Sequence, residues 1–225
     1  MRTTYRDSHG KTLTDYERPS VAVDTAVLTV EPNRGLLVLQ VRRSGGQGWA
    51  LPGTFLHAGE TLARAVRRSL RDKAHVRGID PRQLHVFDRP GRDDRGWVLS
   101  VGHVAAVTAD RLAGRCPETT RLAPAGAPGR LAYDHADIIA LAVVDLRARY
   151  AGHPDPDHLL GEVFTLRQLR EVHEAVAGEP IGPERLDTFR RQMRERLTPV
   201  PGEPLRAEGR GRPARLFRRR AQAGC

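Results

Sequence analysis

Two apolar, β-branched segments separated by a turn constrain the fold of this 225-residue chain more strongly than any other feature. The segments are VAVDTAVLTV (21–30) and LLVLQVRR (36–43), and EPNRG between them contains Pro, Asn and Gly, which favour turns. The pattern therefore predicts a β-hairpin. A second pair, LHVFDRP (84–90) and GWVLSVGHVAAV (96–107), repeats it across GRDDR, so we expect further strands of a mixed sheet.

Two helices are predicted in the same part of the chain. Residues 61–74 have helical periodicity, with apolar side chains on one face and arginines on the other. A second helix is expected from about Asp134 to Tyr150, with Asp134 as its capping residue. This helix is expected to close the first domain.

A helix pair followed by two strands is predicted further along the chain. TLRQLREVHEAV (165–176) and PERLDTFRRQMRERL (183–197) are amphipathic, and AGEPIG between them supplies a turn. LTPVPGEPL and ARLFRRR are expected to pair as strands around RAEGRGRP. The succession predicts a helix-turn-helix with a hairpin after it.

The segment AGHPDPDHLLG contains prolines and glycines and has no periodicity, which is typical of a short linker between independently packed units. We therefore expect four parts. They are a lead-in over 1–16, a first domain over 17–150, the linker over 151–161 and a second domain over 162–222.

The charge of the chain indicates the chemistry of a partner. The formal net charge is +10, the pI is about 10.8, and nearly all of the basic residues are arginine. An excess of positive charge this large favours a polyanionic partner.

The cysteines and the N-terminal sequence bear on localisation. Cys116 and Cys225 are far apart, so neither a disulfide framework nor a structural zinc site is expected. The N-terminal sequence has no apolar core typical of a signal peptide, and no apolar run approaches the roughly 18 residues of a membrane span. We expect a soluble cytoplasmic protein that does not bind membranes.

Several segments resemble a known family. Residues 51–76, LPGTFLHAGETLARAVRRSLRDKAHV, resemble the Nudix box, G-x5-E-x7-R-E-U-x-E-E-x-G-U, and RDDRGWVLSV and YDHADII are similar to segments of ADP-ribose-type Nudix domains. FTLRQLREVHEAVAGEPIG, FRRQM and GRPARLFRRR are similar to the winged helix-turn-helix of Nudix-related regulators of the NrtR type. The resemblance covers residues 17–222 and implies an α+β fold: a Nudix-like mixed-sheet α/β/α sandwich with a C-terminal winged helix-turn-helix domain.

The box departs from the family pattern at its acidic positions. Glu60 and Arg68 match it, but Ser69 replaces one glutamate and Asp72-Lys73 replace the pair that follows. Positions 69, 72 and 73 share one helical face, where hydrolases of this family hold Mg²⁺ with carboxylates. We therefore expect no bound metal, no cofactor, no catalytic residue and no hydrolysis.

The pocket is nevertheless expected to bind an ADP-ribose-like nucleotide. The candidate contacts are Phe55, Glu60, Arg68, Asp72, Lys73 and Arg95. Lys73 either contacts a phosphate oxygen directly, forms a salt bridge with Asp72 or Glu60, or is solvated. Arg95 has the alternative of a solvated hairpin tip, Phe55 of a core side chain, and Glu60 of support for the first helical turn.

The resemblance also implies contacts with double-stranded DNA. A winged helix places its second helix in the major groove and its hairpin loop along the backbone or in the minor groove. The candidate contacts are Thr165, Arg167, Gln168, Arg185, Thr188, Arg190, Arg191, Arg194, Arg210, Arg212 and Arg215. A solvated helix face and a nonspecific basic segment are the alternatives. Since one small domain rarely binds a half-site tightly enough, we expect a homodimer, formed through the Nudix-like domain, on a palindromic operator.

Three functional hypotheses follow. The first is a transcriptional regulator, expected to repress genes of NAD metabolism, whose DNA binding is weakened by an ADP-ribose-like effector. The second is an active Nudix hydrolase of nucleoside diphosphate derivatives with a basic nucleic-acid-binding appendage, which Ser69 and Lys73 disfavour. The third is a nucleic-acid-associated scaffold with an inert Nudix-like half.

Overall fold

Seven strands in the described part of the chain form one mixed sheet. The computed structural model describes residues 5–43, 45, 48–201 and 214–220. The strands are β1 (Ser20–Glu31), β2 (Gly35–Arg42), β3 (Trp49–Ala50), β4 (Gly53–Phe55), β5 (Arg82–Phe87), β6 (Val98–Ala106) and β7 (Thr120–Pro124). Their order is β3-β2-β1-β6-β5, with β4 also paired to β1 and β7 to β2.

Both predicted hairpins are confirmed. β1 pairs antiparallel with β2 across the turn between Glu31 and Gly35, and β5 pairs antiparallel with β6. The sheet is mixed because β1 runs parallel to β6. Strand β7 is not predicted by the sequence pattern, because it is short and pairs with β2 from far along the chain.

Strand β1 changes its antiparallel partner along its length. Its residues 22–24 pair with β4, whereas residues 28–31 pair with β2. Asp24, opposite Gly53, therefore lies where the two partner strands separate. A pocket opens at this split in the sheet.

The sheet lies between two helices, α1 (Leu62–Ala74) and α2 (His135–Tyr150). Since successive side chains of a strand point to opposite faces, Val27 packs in the core that contains α1 and Leu28 in the core that contains α2. These two cores confirm the expected α/β/α sandwich. None of the helices in the described part of the chain combines the length and the apolarity that crossing a membrane requires.

The two helices begin differently. The Thr61 hydroxyl accepts a hydrogen bond from the Arg64 backbone N–H and so caps α1. Asp134 precedes α2, but its side chain forms no capping bond. Its carboxylate instead accepts a hydrogen bond of 2.8 Å from Arg92 Nε. The prediction that Asp134 caps α2 is wrong, because a buried arginine binds the same carboxylate.

The C-terminal half is a winged helix-turn-helix, as expected. Its elements are β8 (Phe164–Thr165), α3 (Leu166–Ala177), α4 (Pro183–Glu195), β9 (Leu197–Pro199) and β10 (Leu216–Arg219). Thr165 and Gln168 form a capping box at the start of α3, and Pro183 occupies the first turn of α4. The strands form a sheet in the order β8-β10-β9. Residues 202–213, between β9 and β10 in the sequence, lie outside the described residues.

The two halves share a core. Val172 and Val176 of α3 are buried in the same cluster as α2 and the large sheet, and Arg147 Nε on α2 donates a hydrogen bond of 3.0 Å to the Val176 carbonyl oxygen. Leu169, on the same helix, packs instead in the core of the winged helix. The expectation of independently packed units is therefore wrong, because α3 contributes to both cores.

Asp155, in the predicted linker, is fully buried. Its carboxylate accepts hydrogen bonds from the Tyr150 hydroxyl at 2.6 Å and from Arg219 Nη1 at 2.7 Å. It also accepts from the backbone N–H groups of Leu159 and Leu160. Because these bonds tie the end of α2 to β10, the linker is a hydrogen-bonded joint. The exact domain boundaries stay predictions.

Candidate functional site

A pocket of about 550 Å³, here called the β1 pocket, opens where β1 changes partner. It is lined by residues of β1, β2, β4 and α1, by the loop between β5 and β6, and by Tyr133 and His135 at the start of α2. Most of the charged side chains in its wall are basic, and two aromatic rings, those of Phe55 and Tyr133, face it. The composition suits an anionic ligand with a flat ring.

Asp24 forms the polar floor of the β1 pocket. Its carboxylate accepts a hydrogen bond of 2.6 Å from Ser100 Oγ and lies 3.2 Å from His135 Nε2. Burial raises the pKa of Asp24, but the hydrogen bonds from His135 and Ser100 and the charge of Arg92 outweigh it, so the pKa lies below its ordinary value. Asp24 is therefore ionised at neutral pH.

The start of α2 is tied to this floor. His135 Nδ1 accepts a hydrogen bond of 2.9 Å from the Leu51 backbone N–H, so Nε2 carries the proton that faces Asp24. Arg92, which is 3.8 Å from Asp24, forms a salt bridge with Asp134. Movement of Asp24 would therefore displace the first residues of α2.

Gly53 is required by its close approach to β1. A β-carbon at this position would lie 1.8 Å from Asp24 Oδ1 and 2.9 Å from the Val23 carbonyl oxygen. No side chain fits there unless Asp24 moves. The carbonyl oxygen of Gly53 points to α1, where it accepts a hydrogen bond from a lysine.

Lys73 is that lysine, and its ammonium donates a hydrogen bond to the Gly53 carbonyl oxygen. Burial lowers the pKa of Lys73 below its ordinary value, although the charge of Asp24 opposes the shift. Since its hydrogen-bond partner is neutral, the charge of Lys73 is available to an anionic ligand.

The acids that remain in the box are held by arginines. Glu60 accepts hydrogen bonds from Arg68 Nε at 2.9 Å and Nη2 at 2.8 Å, and these bonds lower the pKa of Glu60 to about 2. Asp72 accepts a bond of 2.6 Å from Arg71 Nε, which lowers the pKa of Asp72. The alternative of a salt bridge between Lys73 and either acid is therefore wrong.

These residues do not fit the magnesium ion that a Nudix box implies. Ser69 is 1% exposed, its Oγ has no hydrogen-bond partner, and it lies outside the lining of the β1 pocket. The predicted convergence of positions 69, 72 and 73 thus holds only for Asp72 and Lys73. Within the described residues, no three His, Cys, Asp or Glu side chains are grouped to bind a metal, and oxygen ligands are what Mg²⁺ requires.

Arg95 lies in the loop between β5 and β6, with its guanidinium against two aromatic rings. Its Cζ is 4.8 Å from the ring centroid of Phe55 and 4.8 Å from that of Tyr133. Asp93 accepts hydrogen bonds from Arg95 Nε at 2.8 Å and Nη2 at 2.7 Å. Arg95 therefore contacts the pocket wall and is more than a solvated hairpin tip, although 52% of its side chain is exposed.

The structure brings some of the predicted ligand residues together and not others. Those that line the β1 pocket are Phe55, Asp72, Lys73 and Arg95. Glu60 and Arg68 lie outside its lining. Arg68 donates to Thr54 Oγ1 and to the Phe55 carbonyl oxygen, so the pair braces the loop before α1.

Sequence reasoning missed Asp24, Arg92, Tyr133 and His135, which also line the β1 pocket. Signals for them were present. Tyr133 and His135 lie within YDHADII and Arg92 begins RDDRGWVLSV, two segments similar to Nudix domains. Asp24 is the single acid in the apolar segment 21–30, a pattern that indicates a buried charge.

A second concave surface, here called the α4 groove, lies on the winged helix. It has a volume of about 880 Å³ and is lined by the start of α3, by α4 and by the start of β10. Its lining contains six arginines and only two acids, so it is strongly basic. The arginines are Arg167, Arg170, Arg190, Arg191, Arg194 and Arg215, and the acids are Asp187 and Glu195.

Part of the predicted nucleic-acid contacts line this groove. They are Thr165, Arg167, Arg190, Arg191, Arg194 and Arg215. Gln168, Arg185 and Thr188 lie outside its lining, and Gln168 is engaged in the capping box of α3. Arg210 and Arg212 lie outside the described residues. Arg170 lines the groove and was not predicted.

Two family models match the chain. The model of the NUDIX domain matches residues 19–140. The model of the NrtR DNA-binding winged helix domain matches residues 156–219.

Two curated relatives are similar in sequence. The ADPR responsive transcriptional repressor NtrR of Acinetobacter baylyi is 27% identical over 215 residues, which cover 91% of this chain and 83% of that protein. The ADP-ribose pyrophosphatase of Methanocaldococcus jannaschii is 32% identical over 129 residues, which cover 55% of this chain and 73% of that protein.

A third similar protein has solved structures. NrtR of Shewanella oneidensis complexed with a 27mer DNA superposes with a TM-score of 0.71 at 30% identity, covering 88% of this chain and 93% of that one. The NUDIX domain of the same protein complexed with ADP ribose superposes with a TM-score of 0.52 at 25% identity, covering 61% of this chain and 95% of that one.

Proposed function

Because the chain belongs to the NUDIX family and carries an NrtR-type winged helix domain after its Nudix domain, we propose that it is a DNA-binding transcriptional repressor controlled by ADP-ribose or a closely related nucleotide. The observation that carries the proposal is the presence of the β1 pocket and the basic α4 groove in one chain. Relatives with both domains include a repressor described as ADPR responsive and a protein crystallised with DNA. We expect its target genes to include those of NAD metabolism.

The β1 pocket supports a nucleotide diphosphate as the effector. Arg42, Arg43 and Lys73 line it, and within the described residues none of them forms an ion pair with a carboxylate. A cationic side chain that is not paired with a carboxylate can bind a phosphate oxygen. Phe55 and Tyr133 supply flat apolar surface for a base or a ribose. A related Nudix domain has been solved with ADP ribose bound.

The charge of Lys73 supports binding without cleavage. In a Nudix hydrolase this helical face carries carboxylates that hold Mg²⁺, which neutralises the diphosphate and activates water. Two unit charges about 4 Å apart interact by roughly 4 kcal/mol at an effective dielectric of 20, so an ammonium in place of a carboxylate removes useful Mg²⁺ affinity. We therefore propose that Lys73 meets the diphosphate in place of the metal and that the chain is not an enzyme.

The α4 groove supports the DNA contacts. Arginines in adjacent turns of α4 would lie in the major groove, where the planar guanidinium matches the guanine edge or a phosphate. Arg215, directly before β10, would follow the backbone. Arg210 and Arg212 lie outside the described residues and stay predicted contacts of the same kind. We propose a homodimer on a palindromic operator, since two half-site contacts give the affinity that one small domain lacks.

Helix α2 supports a route between the two sites. It has 16 residues and so spans about 24 Å. His135 at its start contacts the pocket floor, and Tyr150 at its end binds Asp155 in the joint. Tyr150 also contacts His173 edge-on, and His173 contacts Phe189 of α4 in the same way. A ligand that binds one orientation of the winged helix relative to the Nudix domain more tightly than another would change the affinity for DNA.

ADP-ribose is expected to weaken operator binding by about 10-fold without being consumed. The measurement is fluorescence anisotropy of a labelled fragment of the protein's own promoter, titrated with the full chain with and without ADP-ribose, in EDTA and again in Mg²⁺. AMP release is followed in the same Mg²⁺ samples. Steady metal-dependent AMP release would favour the hydrolase related to the M. jannaschii enzyme, and DNA binding insensitive to nucleotide would favour an inert Nudix half.

Lys73 is expected to make effector affinity depend on pH. Since the pKa of Lys73 lies below its ordinary value, the ammonium loses its proton at a lower pH than a solvated lysine does. ADP-ribose affinity should therefore fall as the pH rises toward the ordinary lysine pKa of about 10.4, and the fall should begin at a lower pH than it would for a solvated lysine. Isothermal titration calorimetry of the wild type and of Lys73→Arg and Lys73→Met checks this. The arginine variant keeps its charge and should show no fall, and the methionine variant should bind about 10-fold more weakly at pH 7; a fall of equal size in all three contradicts the role of Lys73.

A further inference from the structure

The guanidinium of Arg95 occupies a slot between two aromatic side chains. Its Cζ lies at the same distance, 4.8 Å, from the ring centroids of Phe55 and Tyr133. The two rings come from separate elements, since Phe55 ends β4 and Tyr133 precedes α2. The slot is therefore built by the tertiary fold.

The backbone at Tyr133 indicates that the ring is placed at some conformational cost. Tyr133 has φ of 54°, in the left-handed region that bulky residues avoid. Arg43 also lies against this ring, with its Cζ 5.4 Å from the centroid. The ring is thus held in the pocket wall by contacts as well as by the backbone.

Arg95 is anchored in the slot but open to exchange. Asp93, whose side chain is 1% exposed, binds the guanidinium through two hydrogen bonds, yet 52% of the Arg95 side chain is exposed to solvent. A guanidinium is planar, as a nucleobase is, and stacks on aromatic faces in the same way. A base that entered from solvent would gain contacts with both rings, and it would displace a guanidinium that Asp93 also binds.

We propose that the slot between Phe55 and Tyr133 is the subsite for the purine base of the effector, and that Arg95 fills it in the ligand-free protein and leaves when the base enters. The inference rests on the proposed function, which it extends by placing the base. Arg95 thereby sets specificity, because ligands that lack a flat ring cannot replace it.

Displacement of Arg95 by the base would also change the position of the first residues of α2. Arg92 and Arg95 lie in the same loop, and Arg92 holds Asp134 directly before α2. Movement of the loop would disturb this salt bridge and with it the start of the helix. The base, rather than the sugar phosphate alone, is thus expected to generate the signal.

The test compares AMP with ribose 5-phosphate, which differ only by the base. Calorimetry on the full chain should show that Arg95→Ala binds AMP about 2- to 5-fold more tightly, because the competing cation is gone, with ribose 5-phosphate unchanged. Phe55→Leu and Tyr133→Leu should each bind AMP about 10-fold more weakly, again with ribose 5-phosphate unchanged. Arg121→Ala is the matched control, since Arg121 stacks on Trp49 at 4.4 Å outside the pocket lining and should change neither affinity.

Two results overturn the inference. One is weaker AMP binding by Arg95→Ala, which would make Arg95 a direct ligand contact. The other is an unchanged ratio of AMP to ribose 5-phosphate affinity in both ring variants; two independent variants are used so that a folding defect in one does not decide the result. If the wild type still releases its promoter fragment in ADP-ribose, only the base subsite fails. If ADP-ribose neither binds nor changes DNA affinity, the proposed function fails with it.

Discussion

Asp155→Ala is expected to lower the free energy of unfolding by about 3–5 kcal/mol. The substitution removes a buried carboxylate and leaves Arg219, whose side chain is 13% exposed, without its partner. The Tyr150 hydroxyl and two backbone N–H groups lose their acceptor as well. The substitution should therefore destabilise both domains, because this carboxylate joins the end of α2 to β10.

Chemical denaturation of the full chain measures this loss, and Asp157→Ala is the matched control. Asp157 lies in the same linker and pairs with Arg149 at 2.8 Å, but the Arg149 side chain is 39% exposed. A pair this open to water contributes about 1 kcal/mol or less. Equal losses in the two variants would show that the joint has no special role.

The double variant Arg191→Ala, Arg194→Ala is expected to bind the operator about 100-fold more weakly, since each well-placed arginine contributes about 1–3 kcal/mol. Both side chains line the α4 groove. Loss of two phosphate or base contacts per protomer should also flatten the dependence of log affinity on log salt, by up to about two units per protomer. Anisotropy titrations at several salt concentrations measure both effects.

Arg185→Ala serves as the control on the same helix. Arg185 lies outside the groove lining, 3.4 Å from Glu184 and 3.8 Å from Glu179. Its removal should change operator affinity by no more than about 3-fold, as expected for a weak surface ion pair. If Arg185→Ala weakens binding as much as the double variant does, the recognition surface lies elsewhere on α4.

The sequence predicted those parts of the fold that local signals determine. The β1–β2 hairpin follows from two apolar segments and a turn between them, and helices α1 and α3 follow from the helical periodicity of residues 61–74 and 165–176. Each of these signals acts within a few residues. Patterns of this range were sufficient for the individual strands and helices, whereas the sandwich and the winged helix were implied by the resemblance to Nudix and NrtR-type proteins.

Contacts between distant residues were not predicted. Asp155 has the sequence context of a loop acid, and its burial depends on Arg219, which lies on a strand of the other domain. Asp134 has the context of a helix cap, but Arg92 binds its carboxylate. In both cases a charged partner far along the chain overrides a local preference.

In the β1 pocket, too, local features were predicted from the sequence and contacts between distant residues were not. The altered charge at Lys73 was evident from the box, because that motif is contiguous. Its hydrogen bond to Gly53 and the stacking of Arg95 between Phe55 and Tyr133 require three segments to meet. The sequence therefore indicated the charge of the site but not how its residues are paired.

The coupling between the β1 pocket and the α4 groove is tested most directly by measuring the affinity for ADP-ribose. Calorimetry in EDTA compares the free protein with the protein saturated with a DNA fragment that it binds. Coupling is reciprocal, so DNA should weaken ADP-ribose binding by the same factor, about 10-fold, by which ADP-ribose weakens DNA binding. The same ADP-ribose affinity in both states would contradict control of the α4 groove from the β1 pocket.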